Sequence, residues 1–126
     1  MFESTARLRI REGELDGFKR QAAEIMRLAR ASDARPIRYD WFLSEDGTEC
    51  EVWEAFTDAD ALLAHQRYVG EAKAQLFRDY VAGHTMTFYG KLSPALAGAM
   101  DAMGTEFTQF SFLQGLEVDV PQEVLA

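Results

Sequence analysis

Strict alternation of apolar and polar side chains marks the first element. In Thr5-Ala6-Arg7-Leu8-Arg9-Ile10-Arg11, Ala6, Leu8 and Ile10 fall on one face and three arginines on the other. Side chains of an extended chain point alternately to opposite faces, so the run predicts a half-buried strand. Gly13 ends it, and from Leu15 the period changes. Leu15, Phe18, Ala22, Ile25, Met26 and Ala29 form one stripe of a helix reaching about Arg30. Pro36 disfavours helical geometry at Arg35, so Ser32 to Pro36 reads as a turn.

Two aromatic-rich runs follow, Ile37 to Leu43 and Glu49 to Phe56, joined by Ser44-Glu45-Asp46-Gly47-Thr48. Asp-Gly between alternating runs is a strong hairpin signal. A two-residue turn at Asp46-Gly47 pairs Leu43 with Cys50, Trp41 with Val52 and Tyr39 with Glu54. A four-residue turn shifts the partners by two and keeps the faces. Either way Tyr39, Trp41, Cys50, Val52, Glu54 and Phe56 share one face, and Arg38, Asp40, Phe42, Glu51, Trp53 and Ala55 the other.

Thr57, with Asp60 three residues on, is the expected cap of a second helix. Its stripe takes in Ala61, Leu62, His65, Tyr68 and Val69, and continues past a bend or break at Gly70 through Ala72, Leu76, Phe77 and Tyr80. Gly83 is expected to stop it. His84 to Tyr89 alternates again as a fourth strand. The order β-α-β-β-α-β predicts an α+β protein with the ferredoxin-like antiparallel sheet. Beyond Lys91, Ser93-Pro94 opens a short helix from Ala95 to Met103, Thr105 to Phe112 reads as a fifth strand, and Glu117 to Ala126 as a loose tail. The chain thus reads as one domain, with a core at about 5–91 and an extension at about 92–116.

Composition narrows the partners. The 126 residues carry a formal charge of −8, and an acidic chain repels a phosphate backbone, so nucleic acid is not an expected partner. The charge is uneven: residues 1–38 hold nine basic and six acidic side chains, and the remainder four and fifteen. One cysteine, Cys50, and two histidines, His65 and His84, argue against an internal disulfide and a metal cage. Apolar stretches such as Ala61 to Ala64 are too short to span a membrane, and the first residues lack the pattern of a secretory signal. These features predict a cytoplasmic protein.

Arg7-Leu8-Arg9-Ile10 with Gly13 and Phe18, and Val52-Trp53-Glu54-Ala55-Phe56-Thr57-Asp58 with Ala61-Leu62 and Ala64-His65, resemble the antibiotic biosynthesis monooxygenase family. The likeness covers roughly residues 5–91. It implies a dimeric α/β barrel in which each protomer keeps a pocket between its sheet and its helices, and no metal, flavin or haem cofactor. It also implies cofactor-free oxidation of a small aromatic molecule such as a quinol, phenol or anthrone. The alternatives are a non-catalytic ligand-binding or stress-related dimer, and a proton-transfer isomerase of the same superfamily. The haem-degrading branch fits least, because its strand-one asparagine falls at Ala6 and its strand-three tryptophan at Phe56.

Within that frame His65 and Glu54 are the candidate catalytic pair. His65 lies on the apolar stripe of its helix and can exchange a proton near neutral pH. Glu54 stands among aromatic residues, where a carboxylate must be paired or neutralised. Tyr39, Trp41, Phe56, Tyr68, Met86 and Phe88 are candidates to line an aromatic pocket, with His84 at a strand end beside them. Each of these aromatics also makes sense as ordinary core. Arg7, Arg9 and Arg11 are expected to pair with Glu49 and Glu51 across strands. Phe42 and Trp53 are candidate anchors of a homodimer interface, and Cys50 reads as packing.

Overall fold

The computed structural model describes residues 1–117. The elements run β1 (Phe2–Ile10), α1 (Leu15–Ala31), β2 (Arg38–Leu43), β3 (Glu49–Phe56), α2 (Ala59–Tyr80), β4 (Val81–Tyr89), α3 (Pro94–Met103) and β5 (Thr108–Phe110). The sheet order is β2-β3-β1-β4-β5. The first four strands are antiparallel, which is the ferredoxin-like arrangement, and β5 joins β4 in parallel. The helix between β4 and β5 explains that switch, since a parallel neighbour requires a crossover. The predicted tail lies almost wholly outside the described residues.

The alternation in β1 sorts the sheet into two unlike faces. Leu8 and Ile10 turn inward against Phe18, Ile25 and Ala29 of α1 and Val69 and Leu76 of α2. A second cluster joins Phe2, Phe56 and Phe88 to Leu62 and Leu63 of α2 and Leu96 and Met100 of α3. The opposite face bears the arginine ladder. Arg7 sits across from Glu51 and donates to it at 2.8 Å, and Arg9 stands opposite Glu49. Phe42 and Trp53 pack edge to face on that side and remain about half exposed.

The hairpin register is Leu43 with Cys50, Trp41 with Val52 and Tyr39 with Glu54. The connection is nonetheless the longer one, and the expected shift of partners by two does not occur, because its four residues are centred on the same Asp46-Gly47 step. Ser44 N donates to the Glu49 carbonyl, Gly47 N to the Ser44 carbonyl, and Gly47 takes a φ of +74° that favours glycine. Asp46 fastens the turn by accepting from Thr48 N, Thr48 Oγ1 and Ser44 Oγ.

Four local expectations are corrected. The cap of α2 is Asp58, whose side chain accepts from Ala61 N at 2.8 Å, and Thr57 lies one residue outside. Helix α2 runs unbroken through Gly70. It ends at Tyr80, ahead of Gly83, which is instead a strand residue leaving room for the Arg9 guanidinium. The fifth strand is only three residues long, held by Gly90 N donating to the Phe110 carbonyl. No described helix is long and apolar enough to cross a membrane.

Candidate functional site

Glu54 is the chemical centre of the inner face. It sits on β3 with Tyr39 of β2 on one side and Ser4 of β1 on the other. Its Oε2 accepts from Ser4 Oγ at 3.0 Å. Its Oε1 lies 3.3 Å from His65 Nε2 and 3.4 Å from Lys73 Nζ. The sequence pattern brought His65 and Glu54 together, and they do meet. His65 is fully buried, edge-on to the Tyr39 ring and tilted against Phe56. Its Nε2 is near the carboxylate but not aligned for a hydrogen bond, and neither ring nitrogen has a hydrogen-bond partner among the described residues.

Burial acts most strongly on the Glu54 carboxyl and favours its neutral form. Lys73, His65 and Ser4 together outweigh that, and hold it down at about 2. Glu54 is therefore an ionised, fully engaged carboxylate at neutral pH, not a neutral or poised acid. The Tyr39 hydroxyl moves the other way, raised well above the usual phenol range by burial and by the neighbouring carboxylate. It stays protonated, with no hydrogen-bond partner among the described residues.

A cavity of about 450 Å³ opens between the sheet, α2 and α3, within the usual range for small-molecule sites. Ala6, Leu8, Trp41 and Val52 make its sheet wall, Lys73 and Phe77 face them from α2, and Ala99, Met100 and Met103 close the α3 side. Tyr39, Trp41, His84, Met86 and Glu54 line it as their faces predict. His84 packs tilted against Phe77, and partial burial lowers its pKa. His65 stands outside the lining, behind Glu54.

Three expected lining residues fall elsewhere. Phe56 and Phe88 belong to the second core cluster, where α2 and α3 cover them. Tyr68 is 48% exposed. At about 100° per residue it lies about 120° around α2 from Leu62, beyond the buried stripe. Lys73 and Ser4 are the residues that pattern reading overlooked. Lys73 had a signal, because it follows His65 and Val69 at four-residue steps on one helix face. Ser4 needed the β1–β3 register, which joins positions distant in sequence. Burial pushes the Cys50 thiol up to about 11, in keeping with a packing role. Among the described residues no group of three or more His, Cys, Asp or Glu side chains is arranged to hold a metal ion.

No protein-family model and no curated protein is matched by the sequence. The fold, in contrast, is shared with solved structures. The chain superposes on MupZ from Pseudomonas fluorescens with a TM-score of 0.70 at 18% identity, covering 92% of this chain and 94% of that one. A proposed antibiotic biosynthesis monooxygenase from Nitrosomonas europaea gives 0.63 at 18% identity, over 74% and 100%. Rv0793 from Mycobacterium tuberculosis gives 0.61 at 22% identity, over 75% and 97%. The chain therefore has the ferredoxin-like α+β fold of structures named as antibiotic biosynthesis monooxygenases.

Proposed function

We propose that the protein is a homodimeric, cofactor-independent monooxygenase-like enzyme acting on a small aromatic quinol, phenol or anthrone. The observation that carries this reading is one buried carboxylate, Glu54, set in the wall of a largely apolar cavity with a buried histidine 3.3 Å behind it. The names of the fold neighbours support the same class.

In this reading the cavity orients an electron-rich ring and excludes water. The acidic proton of the substrate passes to the Glu54–His65 pair, the carboxylate standing in the cavity wall and the imidazole 3.3 Å behind it, and returns from there to the peroxide. The substrate anion then gives one electron to dioxygen, and the radical pair joins through a carbon–oxygen bond. For an anthrone, loss of water from the hydroperoxide breaks the oxygen–oxygen bond and leaves a quinone, so a CH₂ and O₂ become a carbonyl and one water. The Lys73 ammonium stabilises the developing negative charge.

Oxygen uptake by metal-stripped protein over anthrones, naphthalenediols and hydroquinones tests this. Uptake above the spontaneous rate, lost in His65→Ala or Glu54→Gln, is the expected result. Turnover without oxygen consumption indicates a proton-transfer isomerase. A non-catalytic binder is the competing reading favoured by a specific observation, the engagement of Glu54 by three partners. Ligand binding without any turnover supports it.

A further inference from the structure

Two hydrogen-bond donors in the cavity wall have no acceptor. The Tyr39 hydroxyl and Trp41 Nε1 are shielded from solvent and have no hydrogen-bond partner among the described residues. Both side chains line the cavity, and they stand two residues apart on one face of β2. An indole N–H can only donate, and a buried donor left unpaired is costly. This wall is therefore complementary to a ligand that brings acceptor oxygens.

The charge of the lining points the same way. Lys73 and Arg67 reach the cavity from α2, whereas Glu54 is the only acidic side chain in its lining among the described residues. Both Glu54 oxygens are already engaged, by Ser4 on one and by Lys73 and His65 on the other. Two cations against one carboxylate leave the described lining with one net positive charge, in a chain whose net charge is −8. A carboxylate matches this set: it offers two acceptor oxygens to two donors and carries its charge at neutral pH without the help of a base.

We propose that the cavity takes an aromatic carboxylate, with its carboxylate oxygens on Tyr39 Oη and Trp41 Nε1 beside Lys73, and its ring against Leu8, Val52 and Met86. The inference rests on the cavity reading above and names the substrate class more narrowly: the carboxylate anchors the molecule and the ring is left for chemistry.

Calorimetric titration with 1-naphthoate and 1-naphthalenemethanol tests it. The expected result is a preference for naphthoate of about tenfold or more, the scale of a charge-assisted hydrogen bond. In a Tyr39→Phe/Trp41→Phe double variant that ratio falls about tenfold, while continued binding of the alcohol shows an intact cavity. In Gly70→Leu, which builds a side chain at a cavity-lining position where an added Cβ meets nothing within 4 Å, both ligands are lost. Equal affinities in the wild type, or an unchanged ratio in the double variant, overturn the carboxylate inference and leave the cavity reading standing. Failure of both ligands to bind the wild type overturns the two together.

Discussion

The Glu54 carboxylate and the His65 imidazole lie 3.3 Å apart, with neither side chain more than 3% exposed. One comes from β3 and the other from the second turn of α2, so this contact ties the sheet to the helix that covers it. Transfer of a carboxylate out of water is expensive, and three polar partners offset the cost here.

That balance makes stability depend on pH with a definite sign. The folded-state pKa of Glu54 is about 2 against an ordinary 4.5. Its contribution is fully present above the unfolded value and is lost as pH falls from there through the folded value. The whole difference is about 3 kcal/mol. Urea unfolding between about pH 6 and about pH 2 should show the wild type losing roughly that much more than Glu54→Gln.

His65→Ala leaves a void between Tyr39 and Phe56 and takes one partner from the carboxylate. We expect a loss of about 2–4 kcal/mol in urea unfolding. Because Glu54 and His65 share one network, the double variant Glu54→Gln/His65→Ala should cost less than the two single changes together, by at least about 0.5 kcal/mol. Simple additivity would mean that the two groups act independently.

Gly17 lies where α1 meets the end of α2, and a Cβ built there runs into the Tyr80 ring, with Cδ1 and Cζ both at 3.0 Å. Alanine ordinarily favours a helix over glycine by about 0.5–1 kcal/mol. Gly17→Ala should nevertheless destabilise the protein by about 1 kcal/mol. In a Tyr80→Ala background the same change should become stabilising, a reversal of sign that thermal unfolding can read.

Phe42 and Trp53 are 51% and 40% exposed on the open sheet face. In the proposed homodimer that face is covered. Light scattering should then give a mass of twice 14.2 kDa, and Phe42→Asp/Trp53→Arg should return it to 14.2 kDa with unchanged circular dichroism. A wild type that stays monomeric at micromolar concentration would remove the dimer from the proposal.

The parts of the molecule legible in its sequence are those governed by local periodicity. Alternation around Asp46-Gly47 yields the observed pairing of Tyr39 with Glu54, even though the turn is two residues longer than the simplest one, because both turns centre on the same point. Helical spacing likewise brings His65 to the inner face. Errors arise where neighbouring positions offer equivalent chemistry, as with Thr57 and Asp58 at the α2 cap, or where a residue lies at the edge of a stripe, as Tyr68 does. The engagement of Glu54 was the least legible feature. Its charge state depends on Ser4 and Lys73, which come from a strand fifty residues earlier and a helix turn nineteen residues later.

The α3 wall divides the labour within the cavity. Leu96 and Met100 seat the helix in the core with Ala99 packed beside them, whereas Met103 and, just past the helix, Thr105 meet the cavity outside that cluster. The groups that carry charge all lie on β3 and α2. Substitutions at Met103 or Thr105 can therefore reshape the space offered to a ligand without disturbing either the anchoring of α3 or the ionised network. The same chemistry can in this way be retuned to molecules of different outline, one side chain at a time.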